Sequence, residues 1–243
     1  SSANGSDAGK VMNLLCAYGY SVLIKRMESK KGDMKKNALI VLKDVFKETR
    51  AIRFEGNNYD DKWKKEAKKR GLFVVDTTPE ALKYNLNKEC IQLHEDFNVL
   101  TKRELESRIE IKYDAYTNTK LVEYKVAINL ARREVMPAII NQMNDLGRAY
   151  SHGVAAKLNS VSIQNDIRLL EELYAKIQTK LQYLTQFVEK VESQEDAYKR
   201  SYDCATKGAE LLQALRDDVD HSEAIVSYDH WPLPTYDQLL LAF

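Results

Sequence analysis

The chain has 243 residues with 37 basic and 36 acidic side chains, so its formal net charge is only +1. This balance argues against a protein that coats DNA or RNA, because such proteins are usually strongly basic as a whole. The small number of turn-forming residues, 9 glycines and 4 prolines, indicates long helices. The sequence contains no run of about 18 apolar residues, so it predicts no membrane span.

The cysteines and the first residues bear on location and completeness. Cys16, Cys90 and Cys204 are far apart and odd in number, which is typical of reduced thiols in a cytosolic protein. The chain shows no signal peptide. It starts at Ser1 without a methionine, which indicates a processed or partial product. We expect a cytoplasmic, mostly α-helical protein.

The first helix is predicted to need a partner. The polar lead SSANGSDAGK is typical of a loop. The segment VMNLLCAYGYSVLIKRM, residues 11–27, is then apolar almost all round, whereas a surface helix shows one polar face. Such a helix needs other protein segments packed on several of its sides, and this chain does not obviously provide enough of them. The sequence therefore predicts a partner domain that is missing from this chain.

Short helices follow. Residues 33–50 predict an amphipathic helix whose main apolar residues are Leu39, Val41, Leu42, Val45 and Phe46. The segment IRFEGNNYDDKWKKEAKKRGLFVVDTTPEAL, residues 52–82, contains a turn and a helix that ends at Arg70-Gly71. Asp60 or Asp61 is the expected N-cap of that helix, and Gly71 is suited to its C-terminus. Thr78 before Pro79 is the next expected N-cap.

The second half predicts an antiparallel helical bundle over residues 101–226. Thr101 and Glu104 form a capping box at the start of a helical region to about Tyr150, which Pro137 should kink or split. Residues 160–192 carry a coiled-coil-type seam, formed by Ile163, Ile167, Leu170, Tyr174, Ile177, Leu181, Leu184, Val188 and Val191. A further helix over residues 193–224 carries a stripe of Tyr198, Ala205, Leu212, Leu215 and Val219. The apolar tail HWPLPTYDQLLLAF is expected to be docked.

Two stretches invite a binding role. Glu55-Gly56-Asn57-Asn58 could cradle a phosphate, but a single glycine is better explained by a turn, and no nucleotide-binding glycine motif is present. The run KWKKEAKKR could bind nucleic acid through its lysines and Trp63. Trp63 and Ala67 share one helical face, however, which favours a helix with a docked apolar side and a solvated basic side.

The remaining polar residues do not form a recognisable catalytic or metal site. Cys90 and His94 lie one helical turn apart, but no second pair completes a zinc site. The other histidines, His152, His221 and His230, are isolated. Acidic pairs fit helix surfaces or caps rather than general acid–base catalysis; they are Glu171-Glu172, Asp217-Asp218 and Asp60-Asp61. We therefore expect no catalytic, cofactor-binding or metal-binding residue in this chain.

Several ordered motifs resemble type III glutamine synthetases. They are residues 52–72 followed by TTPEAL, FNVLTKRELESRIEIKYDAY, ARREVMPAIINQMNDLG and the ending WPLPTYDQLLLAF. The opening SSANGSDAGKVMNLLCAYGYSVL resembles the last helix of the family's catalytic domain. Asn58 departs from the pattern, where the family often has glycine. The resemblance covers essentially the whole chain and identifies it as the C-terminal portion of such an enzyme.

The resemblance implies a function for a larger parent protein. The parent would use ATP and magnesium to join ammonia to glutamate, and would assemble as stacked hexameric rings. Its catalytic residues would lie before Ser1, so none is assigned here. Residues 1–100 would close the catalytic domain and residues 101–243 would form a helical extension, contributing to scaffold and oligomer packing. The alternatives are a free-standing helical adaptor without enzymatic activity and a nucleic-acid binder through residues 62–70; we expect neither nucleic acid nor membrane as a partner.

Overall fold

The computed structural model describes residues 5–57 and 59–241, apart from the side chains of Ser6, Tyr236 and Asp237. Within these residues the secondary structure is helical and no strand occurs. The predicted mostly α fold class is confirmed. The chain divides into two compact units, Ser1–Ile109 and Glu110–Phe243.

The first unit is a series of helices, and all except the first helix and a short 3₁₀ turn have side-chain N-caps. They are α1 (Ser6–Glu28), α2 (Met34–Glu48), a 3₁₀ turn (Thr49–Ile52), α3 (Asp61–Lys69), α4 (Thr78–Tyr84), α5 (Lys88–Asp96) and the first residues of α6 (Lys102–Leu130). Asp33 and Asp60 cap α2 and α3, and Asp60 Oδ1 accepts a 2.9 Å bond from the Lys62 amide. After α3, Gly71 has φ of +74° and the Leu72 amide bonds to the Ala67 carbonyl at 2.9 Å, so Gly71 ends the helix as predicted.

Two local predictions for the first unit are wrong. Residues 6–10 begin α1 instead of belonging to a loop, while residues 1–4 lie outside the described part of the chain. The N-cap of α4 is Thr77, one residue before the predicted Thr78. Thr77 Oγ1 accepts from the Glu80 amide at 3.4 Å and contacts Glu80 Oε2 at 2.7 Å. Thr77, and not Thr78, lies three residues before Glu80, which is the spacing that such a cap requires, so Thr77 is the N-cap.

The second unit is a bundle of long helices. It contains the rest of α6, a π-helical segment (Ala131–Val135), α7 (Met136–Ala155), α8 (Val161–Glu192), α9 (Ala197–Asp203), a second π-helical segment (Cys204–Gly208), α10 (Ala209–Glu223) and α11 (Tyr236–Leu241). The Thr101–Glu104 capping box is confirmed at the start of α6, where Glu104 Oε2 accepts from the Thr101 amide at 2.8 Å. The expected disturbance at Pro137 takes the form of the first π-helical segment, which lies immediately before α7.

The core of the bundle lies along α8, which packs against both α7 and α10. Lys180 contacts the Ala214 carbonyl, whereas Phe187 lies beside Gly208, so α8 and α10 run antiparallel. From Leu170 onward the predicted seam is buried except for the partly buried Tyr174, and Leu173 and Phe187 are buried in addition. Ile163 and Ile167, at the N-terminal end of the seam, are only partly buried. The apolar stripe that the spacing predicts is therefore buried over most of its length, and the buried face of α8 is wider than predicted.

Burial of tyrosines in this bundle makes its stability sensitive to alkaline pH. Tyr113 is 5% exposed and its ring meets Tyr198 edge-on at 5.5 Å between centroids. Burial raises the pKa of Tyr113 from 10.0 to about 12, and Tyr198 and Asp196 act in the same direction. The unfolded chain loses this phenolic proton near pH 10 while the folded chain retains it, so stability is complete below pH 10 and is lost between pH 10 and 12.

We expect the urea midpoint of the second unit to fall as pH rises from 9 to 11.5, with Tyr113 contributing about 2 kcal/mol. Tyr113→Phe should reduce this pH dependence, because phenylalanine has no proton to lose. The measurement is a series of urea titrations at increasing pH. An unchanged slope in Tyr113→Phe would show that Tyr113 does not contribute.

Candidate functional site

The Gly56 turn is filled by an aromatic ring and does not form an open cradle. Gly56 has φ of +150°, and a Cβ at this position would lie 2.9 Å from the Phe54 ring. Phe54 stacks on Trp63 with 4.1 Å between the ring centroids. Asn57 Oδ1 accepts from the Tyr59 amide at 3.0 Å, and Asn58 lies outside the described residues. The positive φ and the close Phe54 ring explain why a glycine stands at position 56, without a role in binding phosphate.

The basic helix α3 has the two-sided arrangement that its sequence predicts. Ala67 is buried at 4% exposure and Trp63 is half-buried against Phe54. Arg70 lies 5.4 Å over the Trp63 ring and donates to the Arg53 carbonyl at 3.0 Å, so its charge serves packing within the first unit. The lysines of α3 are exposed, and Lys64 pairs with Asp76 at 2.7 Å.

His94 and Cys90 meet through the backbone and not through the thiol. His94 is 4% exposed, and its Nδ1 lies 2.8 Å from the Cys90 carbonyl oxygen. Across residues 5–57 and 59–241, no three His, Cys, Asp or Glu side chains come together as ligands of one ion.

The other polar candidates are exposed, cap a helix, or pair with a neighbouring side chain. His230 Nε2 lies 2.7 Å from Asp145 Oδ2, and His152 and His221 are exposed. The Glu171-Glu172 pair is also exposed. Among the remaining acidic pairs, Asp60 caps α3, Asp217 accepts from Gln213 at 2.7 Å and Asp218 lies 2.6 Å from Lys180 Nζ.

The first unit instead exposes a large apolar surface on α1. Among the large apolar side chains of α1 that the structure describes, only Leu14 is buried, with 4% of its surface exposed. Five other large apolar side chains are 48–68% exposed and lie on different sides of the helix: Met12, Leu15, Tyr18, Tyr20 and Ile24. The predicted all-round apolar helix is thus present without a cover over most of its surface. Exposed apolar surface of this extent is typical of an interaction site.

The apolar stripe of α2 is exposed as well. Leu39, Leu42 and Phe46 follow i, i+3, i+7 spacing, so they share one helical face, and they are 70%, 54% and 64% exposed. The buried residues of α2 are Asn37 and Val41. Asn37 Nδ2 donates to the Lys30 carbonyl at 3.0 Å, which fixes the turn between α1 and α2. We call the α1 residues above together with Leu39, Leu42 and Phe46 the apolar face.

Sequence reasoning identified the apolar residues of α2 but not their exposure. A helix with apolar residues on one face usually buries that face in its own domain. Here Arg26 and Glu48 join α1 and α2 by a 2.8 Å ion pair, and the apolar stripe of α2 remains open to solvent. The apolar sequence of the neighbouring α1 could have indicated this exposure, because it already predicts a helix without enough protein packed around it.

Within the part of the chain that it describes, the structure thus defines a helical segment whose apolar face is exposed. A family model described as the glutamine synthetase C-terminal domain matches residues 38–153. This match extends from α2 to α7.

Curated relatives give the same result. The chain is 28% identical over 220 residues to the type-3 glutamine synthetase of Dictyostelium discoideum, covering 82% of this chain and 28% of the relative. It is 24% identical over 206 residues to glutamine synthetase of Bacteroides fragilis, with 82% and 28% covered, and 26% identical over 227 residues to that of Butyrivibrio fibrisolvens, with 91% and 32% covered. The chain is therefore similar to the C-terminal portion of glutamine synthetases, and the resemblance of its motifs is confirmed.

Proposed function

We propose that this chain works as the C-terminal part of a glutamine synthetase, in which a preceding catalytic domain joins ammonia to glutamate with ATP. The observation that carries the proposal is the apolar face, together with the length of the relatives. The chain spans 28–32% of the curated relatives that it matches. A face of this size needs a cover, and the preceding catalytic domain that the resemblance implies would supply it.

The role of the chain in this proposal is scaffolding and oligomer packing. Residues 1–100 complete the catalytic domain, with α1 packed on its barrel, and residues 101–243 form the helical extension. The ATP and magnesium sites belong to the preceding residues, and this chain supplies no group to the transferred phosphoryl. By the resemblance, the parent forms stacked hexameric rings in the cytoplasm. No helix within the described residues has the length and apolarity to cross a membrane.

The first test is the intact mass and N-terminal sequence of the native polypeptide. We expect a chain of several hundred residues with a catalytic domain before Ser1. A native start at or near Ser1 would contradict the proposal and favour the free-standing adaptor.

A second test uses hydrogen exchange on the apolar face. The α1 and α2 amides should exchange more slowly in the long polypeptide than in the 243-residue chain, because a domain packed on these helices opposes their local opening. The α8 amides in the bundle core serve as an internal control and should change little. Equal exchange of α1 and α2 in both forms would contradict packing on this face.

The substitution Leu39→Glu should separate the two roles of α2. Leu39 is 70% exposed, so in the 243-residue chain we expect a change within about 0.5 kcal/mol of the free energy of unfolding. In the long polypeptide the same charge would be buried against the catalytic domain, and synthetase activity and thermal stability should fall together. Activity is measured as glutamine formation, and stability by thermal melting.

The matched control is Asp44→Lys, which changes the charge at an exposed position of α2 on the other side of the helix from the stripe. We expect it to leave both the activity and the melting temperature of the long polypeptide close to wild type. Equal effects of the two substitutions would show that charge alone, and not the apolar face, is responsible.

A further inference from the structure

The end of α10 and the segment that follows it border a cavity in the second unit. The cavity has a volume of about 520 Å³, and small-molecule sites occupy about 300–1,000 Å³. The described residues that line it include Asp220, Glu223, Val226, Tyr228, Trp231 and Thr235. Two of them are acidic, two are aromatic, and no lysine or arginine is among the described lining residues. We call it the acidic–aromatic cavity.

The walls of this cavity are held by hydrogen bonds to the bundle. The Val226 amide donates to the Ser222 carbonyl at 2.9 Å, which turns the chain at the end of α10. The Ser227 amide donates to Gln142 Oε1 of α7 at 3.1 Å, and the Trp231 amide donates to the Ser227 carbonyl at 3.0 Å. Val226 and Trp231 are also part of the buried core. The cavity is therefore built from segments that the core holds in place.

The electrostatics of the cavity favour a cation. Asp220 and Glu223 lie in the last turn of α10, where the helix dipole places partial negative charge. Acidic side chains at this end of a helix add to that charge instead of compensating it. Arg216 pairs with Asp220 at 3.4 Å, but a carboxylate offers about four acceptor positions, so Asp220 can also meet a second cation.

Two aromatic side chains add a second kind of attraction. Tyr228 is 68% exposed and Trp231 is 8% exposed, and both line the cavity. Tryptophan and tyrosine rings attract organic cations through their faces. Among the described residues, no group accepts a hydrogen bond from the buried Trp231 Nε1. A buried donor without an acceptor costs free energy, which a ligand with an acceptor would offset.

We propose that the acidic–aromatic cavity binds a small organic cation that also carries a hydrogen-bond acceptor. The cationic group lies between the two carboxylates and the aromatic rings, and the acceptor meets the Trp231 indole. A hydroxyalkyl ammonium has this chemistry. A neutral apolar molecule would leave the carboxylates without a counter-charge, and a strongly hydrated metal ion would not use the aromatic walls.

The test titrates the full chain with choline, which combines a quaternary ammonium group with a hydroxyl group. The control ligand is its uncharged isostere, in which a carbon atom replaces the nitrogen. The chain has two tryptophans, so binding is followed by Trp231 fluorescence in a Trp63→Phe background. We expect a saturable response to choline that weakens as salt rises. The uncharged isostere should bind about tenfold more weakly or worse.

Variants separate the site from the overall charge of the helix. Asp220→Asn combined with Glu223→Gln should weaken choline binding by about tenfold. Tyr228→Leu should weaken it by about threefold, whereas Tyr228→Phe keeps the ring and should bind like wild type. The control combines Asp217→Asn with Glu210→Gln, which removes the same charge from exposed positions of α10 that are not among the described lining residues. We expect it to retain the affinity of wild type.

Several outcomes would overturn the proposal. A chain that shows no saturable response to choline would exclude the site. Equal binding of choline and its uncharged isostere would show that the carboxylates play no part. Equal weakening by the two double variants would assign the effect to the charge of α10 as a whole. Much tighter binding of Nα-acetyl-lysine amide than of choline would assign the cavity to a lysine side chain of a partner protein instead of a small molecule.

Discussion

Leu181→Asp is expected to unfold the helical bundle of the second unit. Leu181 lies in the middle of α8 and is 3% exposed. The substitution removes a buried apolar side chain, worth about 1.5–3 kcal/mol, and leaves an unpaired carboxylate in its place at a further cost of several kcal/mol. Since single domains are stable by about 5–15 kcal/mol, this loss removes most or all of the stability of the bundle.

The measurement is thermal and urea unfolding followed by circular dichroism and by Trp231 fluorescence in a Trp63→Phe background. Trp231 reports on the second unit, because it is buried in the core of that unit. Gln182→Asp is the matched control, since Gln182 is the exposed neighbour of Leu181 on α8. We expect the control to melt close to wild type. A Leu181→Asp variant that melts like wild type would show that the seam is not the core.

The seam could be predicted from the sequence because its periodicity is local. Apolar residues spaced by three and four along α8 must lie on one face, whatever surrounds the helix. Leu173 and Phe187 were not among the predicted seam residues, although both are buried. Each directly precedes a predicted seam residue, Tyr174 or Val188, and lies at the edge of the stripe. They are buried because α8 packs against α7 on one side and α10 on the other. The sequence pattern identifies an apolar stripe, but the number of neighbouring helices depends on the tertiary fold.

The apolar face also shows that periodicity does not reveal what packs against a helix. The sequence predicts that α1 lacks sufficient cover, because a helix that is apolar on every side has no face to present to water. For α2, the stripe of Leu39, Leu42 and Phe46 is indistinguishable in sequence from a core-facing stripe, yet it is exposed. What covers a stripe depends on the neighbouring parts of the polypeptide, and periodicity contains no information about them.

The tail illustrates a prediction that holds only in part. Trp231 is buried and Leu233 packs against the core, as expected for a docked tail. Leu240 and Leu241, however, are largely exposed. Apolar composition predicts burial for all of these residues alike, whereas the helical geometry of α11 turns successive leucines in different directions.

A close approach around Gly208 is a feature that sequence patterns could not identify. Gly208 ends the second π-helical segment and is surrounded by residues from α6 and α8. A Cβ here would lie 2.5 Å from the Tyr124 hydroxyl and 2.7 Å from Phe187 Cε1. The Tyr124 hydroxyl also donates to the Cys204 carbonyl at 2.7 Å, so the ring is held in place by a buried hydrogen bond. These contacts join residues that are far apart in the chain.

Gly208→Ala should therefore destabilise the bundle, although alanine is the better helix former. The added methyl group must displace Tyr124 or Phe187, and overpacking of this kind costs about 1–3 kcal/mol. Loss of the Tyr124–Cys204 hydrogen bond would add about 1 kcal/mol. The matched control is Gly147→Ala in α7, where a Cβ meets no atom within 4 Å. There the lower entropy of the unfolded chain should stabilise the protein by about 0.4–1 kcal/mol. Urea titration of both variants would measure the two effects, and the same sign for both would contradict the packing at Gly208.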